Sequence, residues 1–319
     1  VNRNGDTAIL ALDLSLTQRE ERNLVPTDTV LQDFELLLGA VRPRLHRYCA
    51  RMTGSFTDGE DVVQEALMKA YSARPAAGPL DNAEAWLLRI AHNVALDFLR
   101  QRSRLRQWVT EADDEVERVP APDEPDPDIV ATSLQRFMQL PALQRSAVIL
   151  KDVLGHSVQE AAAITGTSDA ALRSALQRGR ARLRELAQEP DGTTEAPDIS
   201  HSDRARLLAY VEGFNNGDFD AIRAMLAEDV RLDLVAKFKR RGRSEVSQYL
   251  GGYAAAAKRW AFAAAIIENR PAMLVYDRGV SLDTPAYFVA LDIRDDKVVA
   301  VRDFLFGGYR MEGLGVKTL

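Results

Sequence analysis

Two all-α helical domains followed by an α+β domain are what this sequence predicts, on three observations. Apolar residues recur at helical spacing from Phe34 to Phe98 and again from Leu134 to Ala187. An acidic, proline-rich stretch separates those two blocks. In the last third, helical stripes give way to strand-like alternation. The chain has 319 residues, 46% hydrophobic and 28% charged, enough for two or three domains with sizeable cores. No apolar run approaches the roughly 20 residues that span a bilayer, and the N-terminus has no signal-peptide pattern. The lone Cys49 excludes an intrachain disulfide and a cysteine-rich zinc cage, and His46, His92, His156 and His201 lie far apart. A cytosolic, soluble chain without metal or cofactor is expected.

Taken in order, residues 1–31 form a leader of little pattern. From Phe34, the stripe Leu37, Leu38, Val41, Leu45, Tyr48, Cys49 and Met52 makes a helix that Pro43 should kink or split. Thr57 and Glu60 have capping-box spacing for a second helix through Tyr71. After a loop, Asp81 is placed to cap a third helix, whose stripe reads Trp86, Ile90, Val94 and Phe98. The first domain is set at 32–108. The acidic linker, 109–131, holds four prolines and too little apolar surface to fold alone. Helical pattern resumes over 132–187: Leu134 to Leu140, Leu143 to Leu150, a helix capped by Ser157 and Glu160, and a last one capped by Ser168. A second linker, 188–201, leads to the third domain, 202–319. There helices around Leu207–Phe214, Ile222–Leu226 and Val246–Tyr253 are interspersed with strands. These are Val230–Leu234, Ala272–Tyr276, Pro285–Ile293 and Val298–Phe306, with a hairpin at Arg294-Asp295-Asp296.

The net charge of −6 comes in blocks. Arg100, Arg102, Arg104 and Arg106 cluster; nine carboxylates from Glu111 to Asp128 face only Arg118; then Arg173, Arg178, Arg180, Arg182 and Arg184 follow. The capped helix from Ser157, the turn at Gly166-Thr167 and the arginine-bearing helix after it have helix-turn-helix spacing. Asp169, Ala170, Arg173, Ser174 and Gln177, just after the cap Ser168, would meet base edges. Arg178, Arg180 and Arg182, farther along, would reach phosphates. An ordinary αα-hairpin with a solvated arginine face has the same pattern.

The segment Leu140-Pro-Ala-Leu-Gln-Arg-Ser-Ala-Val-Ile-Leu-Lys-Asp-Val-Leu-Gly-His-Ser, running into that pair, resembles region 4 of the extracytoplasmic-function sigma factors. Three upstream runs resemble region 2: Arg44 to Gly54, Asp61-Val-Val-Gln-Glu-Ala-Leu-Met-Lys-Ala-Tyr, and Ala85-Trp-Leu-Leu-Arg-Ile-Ala-His-Asn-Val-Ala-Leu-Asp-Phe-Leu-Arg. The resemblance covers residues 32–187 and implies a promoter-recognition subunit with core RNA polymerase and promoter DNA as partners, no catalytic residues and no membrane. It assigns Asp61, Val62, Gln64 and Glu65 to the polymerase. It assigns Trp86, Arg89, Asn93, Asp97 and Arg100, with Asn82 ahead of them, to the minus-ten element, and the helix-turn-helix to the minus-thirty-five. An aromatic beside arginines can stack an unpaired base and hold its phosphates, though Trp86 also sits on the apolar stripe. The acidic linker, near −8 in charge, would thread a basic polymerase channel by the same resemblance; a solvated spacer explains its composition equally well.

Tyr210-Val-Glu-Gly-Phe-Asn-Asn-Gly-Asp-Phe-Asp-Ala-Ile-Arg-Ala-Met-Leu-Ala-Glu-Asp-Val-Arg-Leu and the terminal strands resemble a SnoaL-like domain of the nuclear transport factor two-like superfamily, an α+β cone. By residue type alone, Asp233, Tyr276 and Asp303 are its candidate acid–base groups. A tether of about 13 residues spans about 20 Å and gives an effective concentration on the order of millimolar, so an intramolecular contact with the sigma core, regulating it in cis, is expected. Two other readings stand beside this one: a stand-alone helix-turn-helix regulator with a ligand-sensing C-terminal domain, and an enzyme carrying a DNA-binding module.

Overall fold

The computed structural model describes residues 29–74, 82–105, 127–130, 132–188 and 199–319. Residues 1–28 of the leader, Asp81 and most of both linkers therefore lie outside the described residues; residues 29–31, expected in the leader, already belong to the first helix. The chain divides into two compact units: residues 36–193 with Arg310–Leu314, and a second centred on Thr194–Tyr309 with Gly315–Leu319.

In the helical unit, α1 (Thr29–Thr53), α2 (Phe56–Ala73) and α3 (Ala83–Leu105) come first. Pro43 lies inside α1 without dividing it. The proline forfeits one backbone hydrogen bond, and the buried Val41, Leu45, Tyr48, Cys49 and Met52 on both sides of it hold the helix to the core. The cap of α2 is Ser55, whose hydroxyl accepts from Asp58 N at 3.0 Å, and not Thr57. Glu60 is fully buried in an ion pair with Arg42. Gly59 lets α1 and α2 touch backbone to backbone: a Cβ there would stand 2.6 Å from Ala50 Cα. On α3 the buried stripe is Leu87, Leu88, Ala91, Val94 and Ala95, which moves Trp86, Ile90 and Phe98 to its border.

Next come α4 (Pro127–Val130), α5 (Leu134–Phe137), α6 (Ala142–Val148, continued by one π-helical turn to Val153), α7 (Val158–Thr165) and α8 (Asp169–Gln188). The short α4 corrects the expectation of extended chain up to about Ile129, because Ile129 is buried and anchors a helical turn. The two helical blocks meet in one core. Tyr48 Oη shares a 2.7 Å hydrogen bond with His92 Nδ1 and donates to Ser146 Oγ at 3.3 Å. Buried Arg145 donates to the carbonyls of Met52 (2.5 Å), Leu140 (2.8 Å) and Met138 (3.3 Å). Arg44 and Arg47 donate to Leu154 O (2.8 Å) and Val153 O (3.1 Å). Carbonyls at helix ends have no partner within the helix, and these arginines supply one.

The second unit holds α9 (His201–Asn216), α10 (Phe219–Met225), β1 (Leu226–Leu234), β2 (Phe238–Arg241), α11 (Arg243–Ala255), β3 (Trp260–Ile267), β4 (Arg270–Asp277), β5 (Tyr287–Arg294), β6 (Lys297–Asp303) and β7 (Val316–Thr318). The sheet order is β2-β1-β6-β5-β4-β3-β7, with β1 and β6 parallel and the other pairs antiparallel. Leu232, Leu234, Val301, Leu291, Val289, Val275 and Phe262 share the buried face. The expected turn between β5 and β6 is present: Asp295 and Asp296 both take positive φ, as a two-residue hairpin turn requires. Strands β2, β3 and β7 were not expected from the sequence, and two expected elements shift their bounds. Leu226 opens β1 instead of closing a helix, and β6 ends at Asp303, short of Phe306.

Candidate DNA- and polymerase-binding surfaces

On α7 the expected capping box is complete: Ser157 N and Oγ donate to Glu160 Oε2 at 2.8 and 2.9 Å, and Glu160 N donates to Ser157 Oγ at 3.2 Å. Gly166 ends α7 in the left-handed conformation (φ +70°), where a side chain would be strained. Ser168 Oγ accepts from Ala171 N at 3.2 Å and starts α8. Leu172, Ala175, Leu176, Leu183 and Leu186 bury one face of α8. Ser168, Asp169, Ala170, Arg173 and Ser174 are left exposed at its N-terminal end, with Gln177, Arg178 and Arg182 half-buried beyond them. Arg182 pairs with Glu185 at 3.0 Å.

Arg180 is different. Its side chain is 2% exposed and grips Asp152 with two hydrogen bonds, Nε to Oδ2 at 3.0 Å and Nη2 to Oδ1 at 2.5 Å. It ties α8 to the π turn after α6 and cannot reach a phosphate from there, which corrects its assignment to the DNA backbone. Spacing alone misplaced it: position 180 lies one turn from the buried Leu176 and Leu183, on the inner face.

On α3, Arg89, Asn93, Asp97 and Arg100 form one exposed stripe, and Trp86 stands half-buried at its head. Asp97 pairs with Arg100 at 3.1 Å. Asn82 Oδ1 accepts from Ala85 N at 2.9 Å, so Asn82, and not the expected Asp81, caps α3. On α2, Asp61 and Glu65 are exposed and Gln64 is half-buried, donating to Glu60 Oε1 at 3.0 Å. Val62 is in the core, which removes it from the surface assigned to the polymerase. The face continues through two residues the pattern did not flag, Met68 (72% exposed) and Tyr71 (50% exposed). The available signal was helical spacing: 61, 64/65, 68 and 71 fall on one side of α2.

Burial sets the protonation of the core histidines. Desolvation pulls His46 down to about 3 even though its ring bonds Phe56 O at 2.9 Å, and it pulls His92 down to about 4, so both are neutral. Among the described residues, no group of histidine, cysteine or carboxylate side chains could hold a metal ion, and no helix is long and apolar enough to cross a membrane.

In the second unit, Asp303 is buried and accepts from Tyr253 Oη (2.5 Å), Tyr249 Oη (2.8 Å) and Leu305 N (2.9 Å). Burial pushes its carboxyl up, against those three hydrogen bonds. Asp233 lies on the other face, beside Arg302 at 3.2 Å, as its alternation with Leu232 and Leu234 predicts. Tyr276 alternates with Val275 along β4 and so lies on the opposite face of the sheet from Asp303. The three candidate groups do not converge on one site.

Two family descriptions match this arrangement: sigma-70 region 2 over residues 37–105 and sigma-70 region 4 over 134–183. Helical blocks of these two kinds define a transcription initiation protein. The extracytoplasmic-function RNA polymerase sigma factor SigG of Mycobacterium tuberculosis is 28% identical, over 95% of this chain and 89% of its own length. The RNA polymerase sigma factor CarQ of Myxococcus xanthus is 33% identical, over 49% of this chain and 90% of its own length. The crystal structure of M. tuberculosis SigJ is 21% identical, covering 88% of this chain and 99% of that one, with a TM-score of 0.33. The chain belongs to the extracytoplasmic-function family of sigma factors, which bind core RNA polymerase and promoter DNA.

Proposed function

We propose that this sigma factor reads its promoter with α8 and α3 and is modulated in cis by its C-terminal third. Ser168, Asp169, Ala170, Arg173, Ser174 and Gln177 meet minus-thirty-five base edges, while Arg178 and Arg182 hold phosphates. Trp86, Arg89, Asn93, Asp97 and Arg100 meet the minus-ten element. Asp61, Gln64, Glu65, Met68 and Tyr71 meet the polymerase, carboxylates and apolar groups together suiting a basic surface with hydrophobic pockets.

One observation carries the cis modulation. The tail residues Arg310–Leu314 cluster with the helical unit. There Glu312 Oε2 lies 2.5 Å from Arg47 Nη2 and 3.7 Å from Arg51 Nη2 on α1. One residue on, Gly313 O accepts from Leu134 N, the first residue of α5, at 3.1 Å. Burial alone would push the Glu312 carboxyl up; Arg47 outweighs it and holds the group below the usual carboxylate range, so Glu312 is charged at neutral pH. The tail thus clasps region 2 and region 4 in their packed arrangement, and binding promoter elements at two separate places requires them to part. Run-off transcription with core polymerase tests this. Glu312→Ala, and a chain ending at 201, should each change output from a cognate promoter several-fold relative to the full chain. Equal output from all three would remove the cis modulation.

A further inference from the structure

The edge of the C-terminal sheet carries a feature that promoter recognition by the helical unit does not use. The run Lys237-Phe-Lys-Arg-Arg-Gly-Arg243 forms edge strand β2 and the start of α11. Its register on β1 sets Arg241 directly opposite Arg231 and Lys239 opposite Asp233; on the other side of β1, Arg302 of β6 is level with Asp233. Arg231, Lys239, Arg241, Arg302 and Asp233 therefore share one face: four cations around one carboxylate, with Asp229 at the margin beside Arg241.

That carboxylate is already committed. Asp233 is 16% exposed, with Arg302 at 3.2 Å and Lys239 at 3.7 Å. The cations are outward: Arg241 is 74% and Lys239 64% exposed, and Arg231 is exposed too. Arg241 has only a loose contact at 3.9 Å with Asp229, itself 75% exposed. Glu228 and Glu245 nearby are taken by Arg243 (2.7 Å) and Arg240 (3.9 Å). Like charges directly across an antiparallel pair oppose strand pairing, so Arg231 and Arg241 work against the ribbon that carries them. An anion lying across both reverses the sign of that term. Same-face residues two apart on a strand are about 7 Å apart, so the patch is a regular row of cations and not a point site. A row of that kind fits a polyanion with regularly spaced phosphates.

We propose that the β1–β2 ribbon is a second, sequence-independent contact for the phosphate backbone of duplex DNA. The choice of DNA rests on the promoter-binding reading; the patch itself does not. The contact would add to affinity and salt dependence without adding base discrimination.

The test uses the full chain and a generic 20-base-pair duplex, with binding followed against salt. In Arg231→Gln/Lys239→Gln/Arg241→Gln, affinity at low salt should fall at least tenfold, and the slope of log K against log salt should shrink by about two to three. Thermal unfolding at an unchanged or higher temperature would establish that the fold is intact, since the substitutions relieve repulsion. Equal affinity and slope in variant and parent overturn the proposal, as does parent chain that fails to bind the duplex even at low salt. If the triple variant keeps the parent's binding to duplex DNA but loses the parent's binding to single-stranded RNA, the ribbon is reassigned and the DNA choice is overturned. Arg173→Ala separates the two readings. If it alone weakens binding to a cognate promoter fragment, the ribbon fails and promoter recognition stands. If only the ribbon variant weakens binding, the ribbon stands and the role given to Arg173 fails.

Discussion

Arg173 and Arg180 sit seven positions apart on α8 and do opposite work. The Arg173 side chain is exposed on the outer face, and its removal leaves the core untouched. Arg173→Ala should keep the melting temperature and cost about 1–3 kcal/mol of discrimination at one promoter base pair, measured by competition between operator variants. Arg180→Ala leaves Asp152 charged, buried and unpaired, which typically costs about 3–5 kcal/mol. Denaturant unfolding should show that loss directly, before any DNA is added. His46 and His92 carry a pH dependence of defined sign. Burial lowers both below the unfolded value near 6.5, so each is neutral when folded and binds a proton when unfolded at acid pH. Their contribution to stability is complete above about pH 6.5 and is lost as pH falls below it, at about 1.4 kcal/mol per pH unit for each group until the folded values are reached. Urea midpoints at pH 7.5 and 5 should differ accordingly, and His46→Gln should flatten the dependence.

Elements were legible where local chemistry and tertiary demand agree. The α7–turn–α8 pair is the clearest case: Ser157, Glu160, Gly166 and Ser168 each satisfy a backbone requirement that sequence spacing already states. Strand β3 is the opposite case, and it was not legible. Ala261, Ala263, Ala264 and Ala265 favour helix intrinsically. They form a strand because β3 lies between β4 and β7, and because Glu268 and Asn269 take the paired positive φ of a hairpin turn. The α3 stripe shifted for a related reason: Leu88, Ala91 and Ala95 are buried where the helix meets its neighbours, and the larger Trp86 and Phe98 are left at the border. Gly59 shows how close such packing is. Gly59→Ala should gain helix propensity of about 1 kcal/mol yet lose stability overall by about 1–3 kcal/mol, because the new Cβ meets the Ala50 backbone at 2.6 Å and α1 must move. A lowered thermal midpoint checks it; a raised one would show that the helices part freely.

At the scale of the molecule, the question is what holds region 2 to region 4. Arg145 is the central link, since it donates to three carbonyls, including Met52 O at the end of α1. Replacing it with Met, of similar length, should expose those carbonyls to a core without donors and cost about 3 kcal/mol. Urea unfolding should show that loss; an unchanged midpoint would mean that the Tyr48–His92–Ser146 cluster suffices. The amino-acid sequence by itself determined the helix-turn-helix, the order of the three domains and the partition of charge between linker and helices, because each of these depends on residues within a turn or two of one another. Only the tertiary structure decided that Arg180 is internal, that Val62 is core, that Met68 and Tyr71 are surface, and that Glu312 meets Arg47 from 265 positions away. Those outcomes depend on which face of an element meets which neighbour, and helical periodicity defines the faces without naming the neighbour.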